Sequence, residues 1–253
     1  MSSLLVSQSD GVAHISLNRP DVRNAFDDML ITELTEAFRT VDARAVVLAG
    51  EGKVFCAGGD LNWMRRSIGY TEQQNLDDAR KLAEMFRAID ECPCAVIGRV
   101  QGAAYGGGVG LASVCDIVVA DTEARFCFSE VKLGLAPAVI SSFALRKIGV
   151  SAARRYFLSA EIIDAETARG IGLAHEVVPL GQMDAAVSKL VESLMRAGPQ
   201  AVREAKSLMR TLLDVSPKDA LEVSAEAIAR LRVSPEGQEG VSAFLEKRKP
   251  SWT

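Results

Sequence analysis

The chain has 253 residues, 29 of them Lys or Arg and 33 Asp or Glu, for a formal net charge of −4. About half the residues are hydrophobic and a quarter charged, the balance of a globular chain with ample material for a core. The charges are scattered without a basic stripe, which argues against a nucleic-acid partner.

Residues 1–11 carry no basic start, long apolar stretch or cleavage site. The most apolar region, around 95–120, is broken by Arg99, Gln101 and Asp116, so no membrane span is expected. Five cysteines without a CxxC pair, and two histidines (His14, His175) far from them in sequence, speak against structural zinc and against a disulfide framework. Buried thiols, a reducing compartment and a cytoplasmic location are the expectation, with no metal.

Residues 4–7 and 12–17 read as two strands joined at Asp10-Gly11 as a hairpin turn. A helix is expected from about Asp27, with Leu30, Leu34, Ala37 and Val41 on one face. Residues 45–49 form a short buried strand stopped by Gly50 and Gly52. The pattern then recurs. Leu76, Ala79, Ala83, Phe86 and Ile89 mark a second long helix, residues 95–97 open another strand, and 116–120 read as a third. Strand, crossover helix and strand in repetition predict an α/β domain with mostly parallel pairing. From about 182 the strands stop. Val202, Ala205, Met209 and Leu212 share one helical face, Val223, Ala227 and Leu231 another, with boundaries at Gly198-Pro199 and Ser216-Pro217. We divide the chain into a core, 1–195, and a C-terminal helical region, 196–253.

Two segments could carry chemistry, 54–61 (VFCAGGDL) and 103–111 (AAYGGGVGL). Each follows an apolar strand, is rich in small residues and leads into a helical pattern. Glycine lets a ligand approach the backbone closely, and N–H groups at a helix start are unpaired donors at the positive end of the dipole. Two such turns facing one another would supply converging donors to a negative oxygen, each worth ~3 kcal/mol. No GK[ST] follows either cluster, which excludes a P-loop.

The order of motifs resembles the crotonase (enoyl-CoA hydratase/isomerase) superfamily. Residues 18–25 (NRPDVRNA), 55–61 (FCAGGDL), 101–116, 128–135 (FSEVKLGL) and 239–250 are similar to its successive signatures. The resemblance implies a crotonase-like ββα spiral core with a C-terminal α-helical oligomerisation region, forming a homotrimer or a dimer of trimers. It implies an acyl-CoA substrate, with coenzyme A part of the substrate and no separate cofactor. It also implies an oxyanion hole from the N–H groups of Gly59 and Gly107, Glu130 as the acid/base, and CoA contacts around Arg23, Ala25, Ala57, Asp60, Leu61, Phe244 and Lys247.

The chain departs from the family pattern at Gly110, where hydratases usually carry a first glutamate. A lone Glu130 is compatible with hydration, with double-bond isomerisation, and with acyl-CoA binding without catalysis. Ser113, Tyr105, Cys127 and Ser142 are the other polar groups considered for holding a water. Members with GGGVGL followed by SEVxLGLxPAVIS resemble hydratases of branched, 3-methylglutaconyl-type substrates from leucine or terpenoid breakdown.

Overall fold

The structure is a computed structural model describing residues 2–253. Strands β1 (Leu4–Ser9) and β2 (Val12–Leu17) pair antiparallel, from Leu4 opposite Leu17 to Ser9 opposite Val12. Asp10 and Gly11 both have positive φ, 49° and 76°, as a two-residue type I′ turn requires. The sheet continues in parallel through β3 (Ala45–Gly50), β4 (Ala95–Val100), β6 (Ile117–Asp121) and β9 (Glu176–Val178). A second sheet joins β5 (Ala103–Tyr105), β7 (Arg125–Cys127) and β8 (Ile163–Asp164).

The expected helix at Asp27 is α1 (Asp28–Thr40), and the Asp27 carboxylate accepts the Leu30 N–H at 2.9 Å as an N-cap should. Next come α2 (Leu61–Ser67) and α3 (Glu72–Asp90), the latter opened by a Thr71–Gln74 capping box. α4 (Gly107–Val114) is wholly buried after its first residue. α5 (Ala138–Ser159) is kinked at Gly149, which has φ 72°. One sheet face packs with α1, α3 and α4 around Leu34, Leu48, Phe86 and Val96. The other packs Val12, Val47, Ile97 and Val119 against Met183 and Val187 of α7 (Met183–Arg196). Burial on both faces explains why β3 and β6 read as continuous apolar runs rather than alternating ones.

Helices α8 (Pro199–Asp214), α9 (Pro217–Val233) and α10 (Pro235–Leu245) each begin with proline, where the missing N–H costs nothing. They are bound to the core through polar contacts. The Arg44 guanidinium donates to the carbonyls of Met195, Ala197 and Trp252 at 2.7, 2.9 and 3.0 Å. Lys206, nearly buried, donates to the Cys94 carbonyl and pairs with Asp116 at 2.7 Å. Asp116 itself lies just before β6 rather than inside it, because its carboxylate also accepts the Val96 N–H at 2.7 Å. All five cysteines are free and buried. Among the described residues no helix is long and apolar enough to cross a membrane.

The mixed α/β architecture and the helical C-terminus follow the sequence expectation. The second sheet does not appear in it, since strands of two or three residues are too short to display a period.

Candidate active site

The two glycine turns lie side by side. Cys56 donates its N–H to the Ala103 carbonyl at 3.1 Å and accepts the Tyr105 N–H at 3.0 Å, a parallel bridge between the segments. Contact is so close that a Cβ on Gly108 would sit 2.2 Å from the Cys56 carbonyl oxygen. A Cβ on Gly58 would sit 2.8 Å from the Tyr105 oxygen and 3.6 Å from the Gly107 nitrogen. Only glycine permits that approach, and Gly58 and Gly106 also hold positive φ, 91° and 50°. Among the described residues the N–H groups of Gly59 and Gly107 have no backbone acceptor, and both residues are half-exposed. The structure thus brings two unsatisfied donors together, one just before α2 and the other opening α4.

A third segment supports the first turn. Ala57 donates to the Arg23 carbonyl (3.0 Å), Phe26 to Gly58 (2.7 Å) and Asp60 to Phe26 (2.8 Å). Residues 23–26 therefore run against 57–60, which gathers Arg23, Ala25, Ala57, Asp60 and Leu61 into one region. Asn24, fully buried with φ 56°, holds the loop by donating to the carbonyls of Glu51 (2.9 Å) and Val54 (2.8 Å). Arg19 bridges Asp27 (2.8 Å) and Asp60 (3.0 Å). In the sequence Arg19 and Asn24 stand only as marks of resemblance. Their long-range work has no local signature, because Asp60, Glu51 and Val54 lie far along the chain from them.

Both Asp60 oxygens are engaged within the protein. Oδ1 accepts the N–H groups of Asn62 (2.8 Å) and Trp63 (3.3 Å) as the α2 cap, and Oδ2 accepts from Arg19. Burial pushes its carboxyl up, but the two N–H donors and the guanidinium outweigh it and hold it below the ordinary range. Leu61 is exposed. Phe244 sits near the end of α10 and Lys247 just beyond it, α10 packs on α9 and α8, and among the described residues neither makes a hydrogen bond to the glycine turns. Phe244 is 82% exposed.

Glu130 opens a 3-10 turn at residues 130–133. Its Oε1 lies 3.5 Å from where a Cβ on Gly106 would be, directly beside the second glycine turn. Its Oε2 is enclosed and has no hydrogen-bond partner. Burial raises its carboxyl above the ordinary range, opposed by its own backbone N–H. A half-buried carboxylate with an unused oxygen, beside the turn that presents the Gly107 donor, can take and return a proton at a bound ligand.

At Gly110 the space is filled. A Cβ there would lie 2.4 Å from Ile140 Cγ2 and 2.8 Å from Phe86 Cζ. The position where the resemblance leads one to expect a first glutamate faces an apolar wall. Cys56 lies beneath the first turn, but complete burial pushes its thiol up to about 12, which leaves it no nucleophilic form near neutral pH. Trp63, whose ring would meet a Cβ on Gly59 at 3.4 Å, has an enclosed indole N–H without an acceptor.

The chain is similar to known proteins along nearly its whole length. The profile of the enoyl-CoA hydratase/isomerase family matches residues 7 to 253. The 2,3-dehydroadipyl-CoA hydratase of Escherichia coli K12 is 33% identical over 258 residues, covering 100% of this chain and 99% of that protein. The crystal structure of an enoyl-CoA hydratase from Shewanella pealeana superposes with a TM-score of 0.94 at 43% identity, covering 99% of this chain and 96% of that one. AtuE from Pseudomonas aeruginosa superposes with a TM-score of 0.95 at 33% identity, covering 99% of both.

Proposed function

The chain belongs to the enoyl-CoA hydratase/isomerase family, and we propose that it adds water reversibly to an α,β-unsaturated acyl-CoA thioester. The observation that carries this reading is the convergence of three groups: the unsatisfied N–H groups of Gly59 and Gly107 and the unpartnered carboxylate of Glu130. The thioester oxygen accepts from both N–H groups, and the charge that builds on it is stabilised by ~3 kcal/mol per donor. Glu130 takes a proton from water as the oxygen bonds to C3. The π pair moves to C2, forming a thioester enolate held at the two glycines. Glu130 then returns the proton to C2, so one water is added and the carboxylate is restored. The raised carboxyl of Glu130 suits both directions of transfer.

A branched acyl chain of the 3-methylglutaconyl type is the finer part of this proposal. It is supported by the resemblance of residues 106–111 and 129–141 to hydratases of that kind. Assembly as a homotrimer or a dimer of trimers is supported by the apolar side chains left exposed on α8–α10, among them Met209, Leu213, Leu221, Val233 and Phe244. Phe244 and Lys247 would then reach CoA from a neighbouring copy, and a cytoplasmic setting suits the acyl-CoA substrate.

The wall at Gly110 favours a second reading, since moving a proton between C2 and C4 requires one base and no water. A panel of straight, branched and carboxylated 2-enoyl-CoAs, with 3-methylglutaconyl-CoA among them, distinguishes the two. Loss of enoyl thioester absorbance with formation of 3-hydroxyacyl-CoA supports hydration. Conversion of a 3-enoyl-CoA to the 2-enoyl isomer without hydration makes the protein an isomerase. Glu130→Gln should lower either activity about 10²–10⁴-fold, and undiminished turnover would remove Glu130 from the mechanism.

A further inference from the structure

Hydration with one carboxylate leaves open what holds the attacking water. No side chain reaches in from Gly110, because Ile140 and Phe86 occupy the space. The other polar groups near the turns are mostly committed elsewhere. The Ser113 hydroxyl donates to the Val109 carbonyl at 2.8 Å within α4. The Cys127 thiol donates to the Ala160 carbonyl at 3.3 Å. Ser142 is exposed and lines a surface cavity with Arg87, Asp90 and Arg210, between α3, α5 and α8.

Ser129 is different. It stands at the N-cap of the turn that carries Glu130, yet its backbone is in the helical region (φ −86°, ψ −6°) and its hydroxyl caps nothing. The hydroxyl oxygen lies 3.5 Å from the position a Cβ on Gly106 would take, and Glu130 Oε1 lies 3.5 Å from the same position. Two oxygens, one able to donate or accept and one an acceptor, therefore flank the residue that precedes the donor Gly107. A serine beginning a helical turn normally satisfies a backbone N–H of that turn. This one is left free where a carboxylate has an unused oxygen.

We propose that Ser129 is a positioning residue that, with Glu130, holds the attacking water in place of the missing second carboxylate. The hydroxyl donates a hydrogen bond to the water oxygen or accepts one from the O–H that stays on it, while Glu130 removes the other proton as the C3–O bond forms. This rests on the hydratase reading above. It also separates two activities of the site. Removing a C2 proton requires Glu130 and the glycine donors but no bound water.

The test measures both activities on one set of variants: hydration of 2-butenoyl-CoA, and exchange of the C2 protons of butanoyl-CoA in deuterated water. Ser129→Ala should hydrate about tenfold more slowly with KM unchanged, the value of one hydrogen bond, while exchanging at the wild-type rate. Ser129→Thr, which keeps the hydroxyl, should recover hydration. Wild-type hydration by Ser129→Ala overturns the proposal. So does an equal loss of hydration and exchange, which would indicate a structural role. A selective hydration loss in Tyr105→Phe with none in Ser129→Ala assigns the water to the Tyr105 phenol and overturns it as well. A wild-type protein that exchanges but hydrates neither 2-butenoyl-CoA nor any branched or carboxylated enoyl-CoA of the panel refutes the hydratase reading itself, a result distinct from any of these.

Discussion

At the Gly58–Gly59 turn, a methyl group added to Gly59 would rest 3.4 Å from Met64 Cγ and from the Trp63 ring, an ordinary contact. At the second turn, the same addition to Gly107 would come 2.6 Å from Phe26 Cε2, to Gly108 2.2 Å from the Cys56 oxygen, and to Gly110 2.4 Å from Ile140 Cγ2. The two turns are alike in sequence and in the donor each presents. They differ in their surroundings. The first is a loop held from outside by Arg19, Asn24 and Asp60, whereas the second starts a helix sunk in the core. In the first turn Gly58 is held by close approach to the second while Gly59 has room beside it, whereas at Gly107, Gly108 and Gly110 of the second turn packing leaves no room.

That difference ranks the effects of substitution. Gly110→Glu should be the most damaging, because overpacking costs ~1–3 kcal/mol or more and an unpaired carboxylate is forced into an apolar wall. The melting temperature followed by circular dichroism should fall by about 10 °C. Ile140→Ala in the same chain should recover part of it, since it deletes the nearest atom. A stable Gly110→Glu variant would show that the wall yields.

Gly107→Ala comes next. Phe26, packed edge-on to Phe86 with ring centroids 6.2 Å apart, has little room to move, so the Gly107 N–H must shift. Turnover should fall about 10²–10³-fold, the cost of losing one oxyanion donor. Gly59→Ala should be far milder in the same assay. Equal losses would mean that the two turns are equivalent after all.

Asp60→Ala should cost about 1 kcal/mol through the lost α2 cap. Because the Asp60 carboxyl is held below its ordinary value, its contribution is present above the unfolded-state value and disappears as pH falls through the folded one. Denaturant melts of wild type and variant should therefore differ at neutral pH and converge in acid. A gap that stays constant would mean that the ionised carboxylate is not what stabilises the loop. The smallest effect expected is on the acid limb of the pH–rate profile. Glu130 must be ionised to act as base, so activity should fall with decreasing pH at a value above the ordinary carboxylate range.

Much of this was legible in the chain because it depends on neighbours in sequence. The Asp10-Gly11 hairpin, the Asp27 cap, the proline-led helices and the two glycine turns are each set by a few consecutive residues. Their physics is local: allowed φ, an unsatisfied N–H, one apolar face per period. The pairing of β5 with β7, the roles of Arg19 and Asn24, the apolar wall at Gly110 and the free hydroxyl of Ser129 were not legible. Each depends on atoms brought together from distant segments, as when Ile140 and Phe86 meet over Gly110. The sequence by itself determined the two glycine turns, with the backbone N–H groups they leave unpaired, and placed Glu130 in a motif that resembles the family's. Only the tertiary structure decided what surrounds them, because packing at close range depends on the shapes of side chains that no spacing along the chain records.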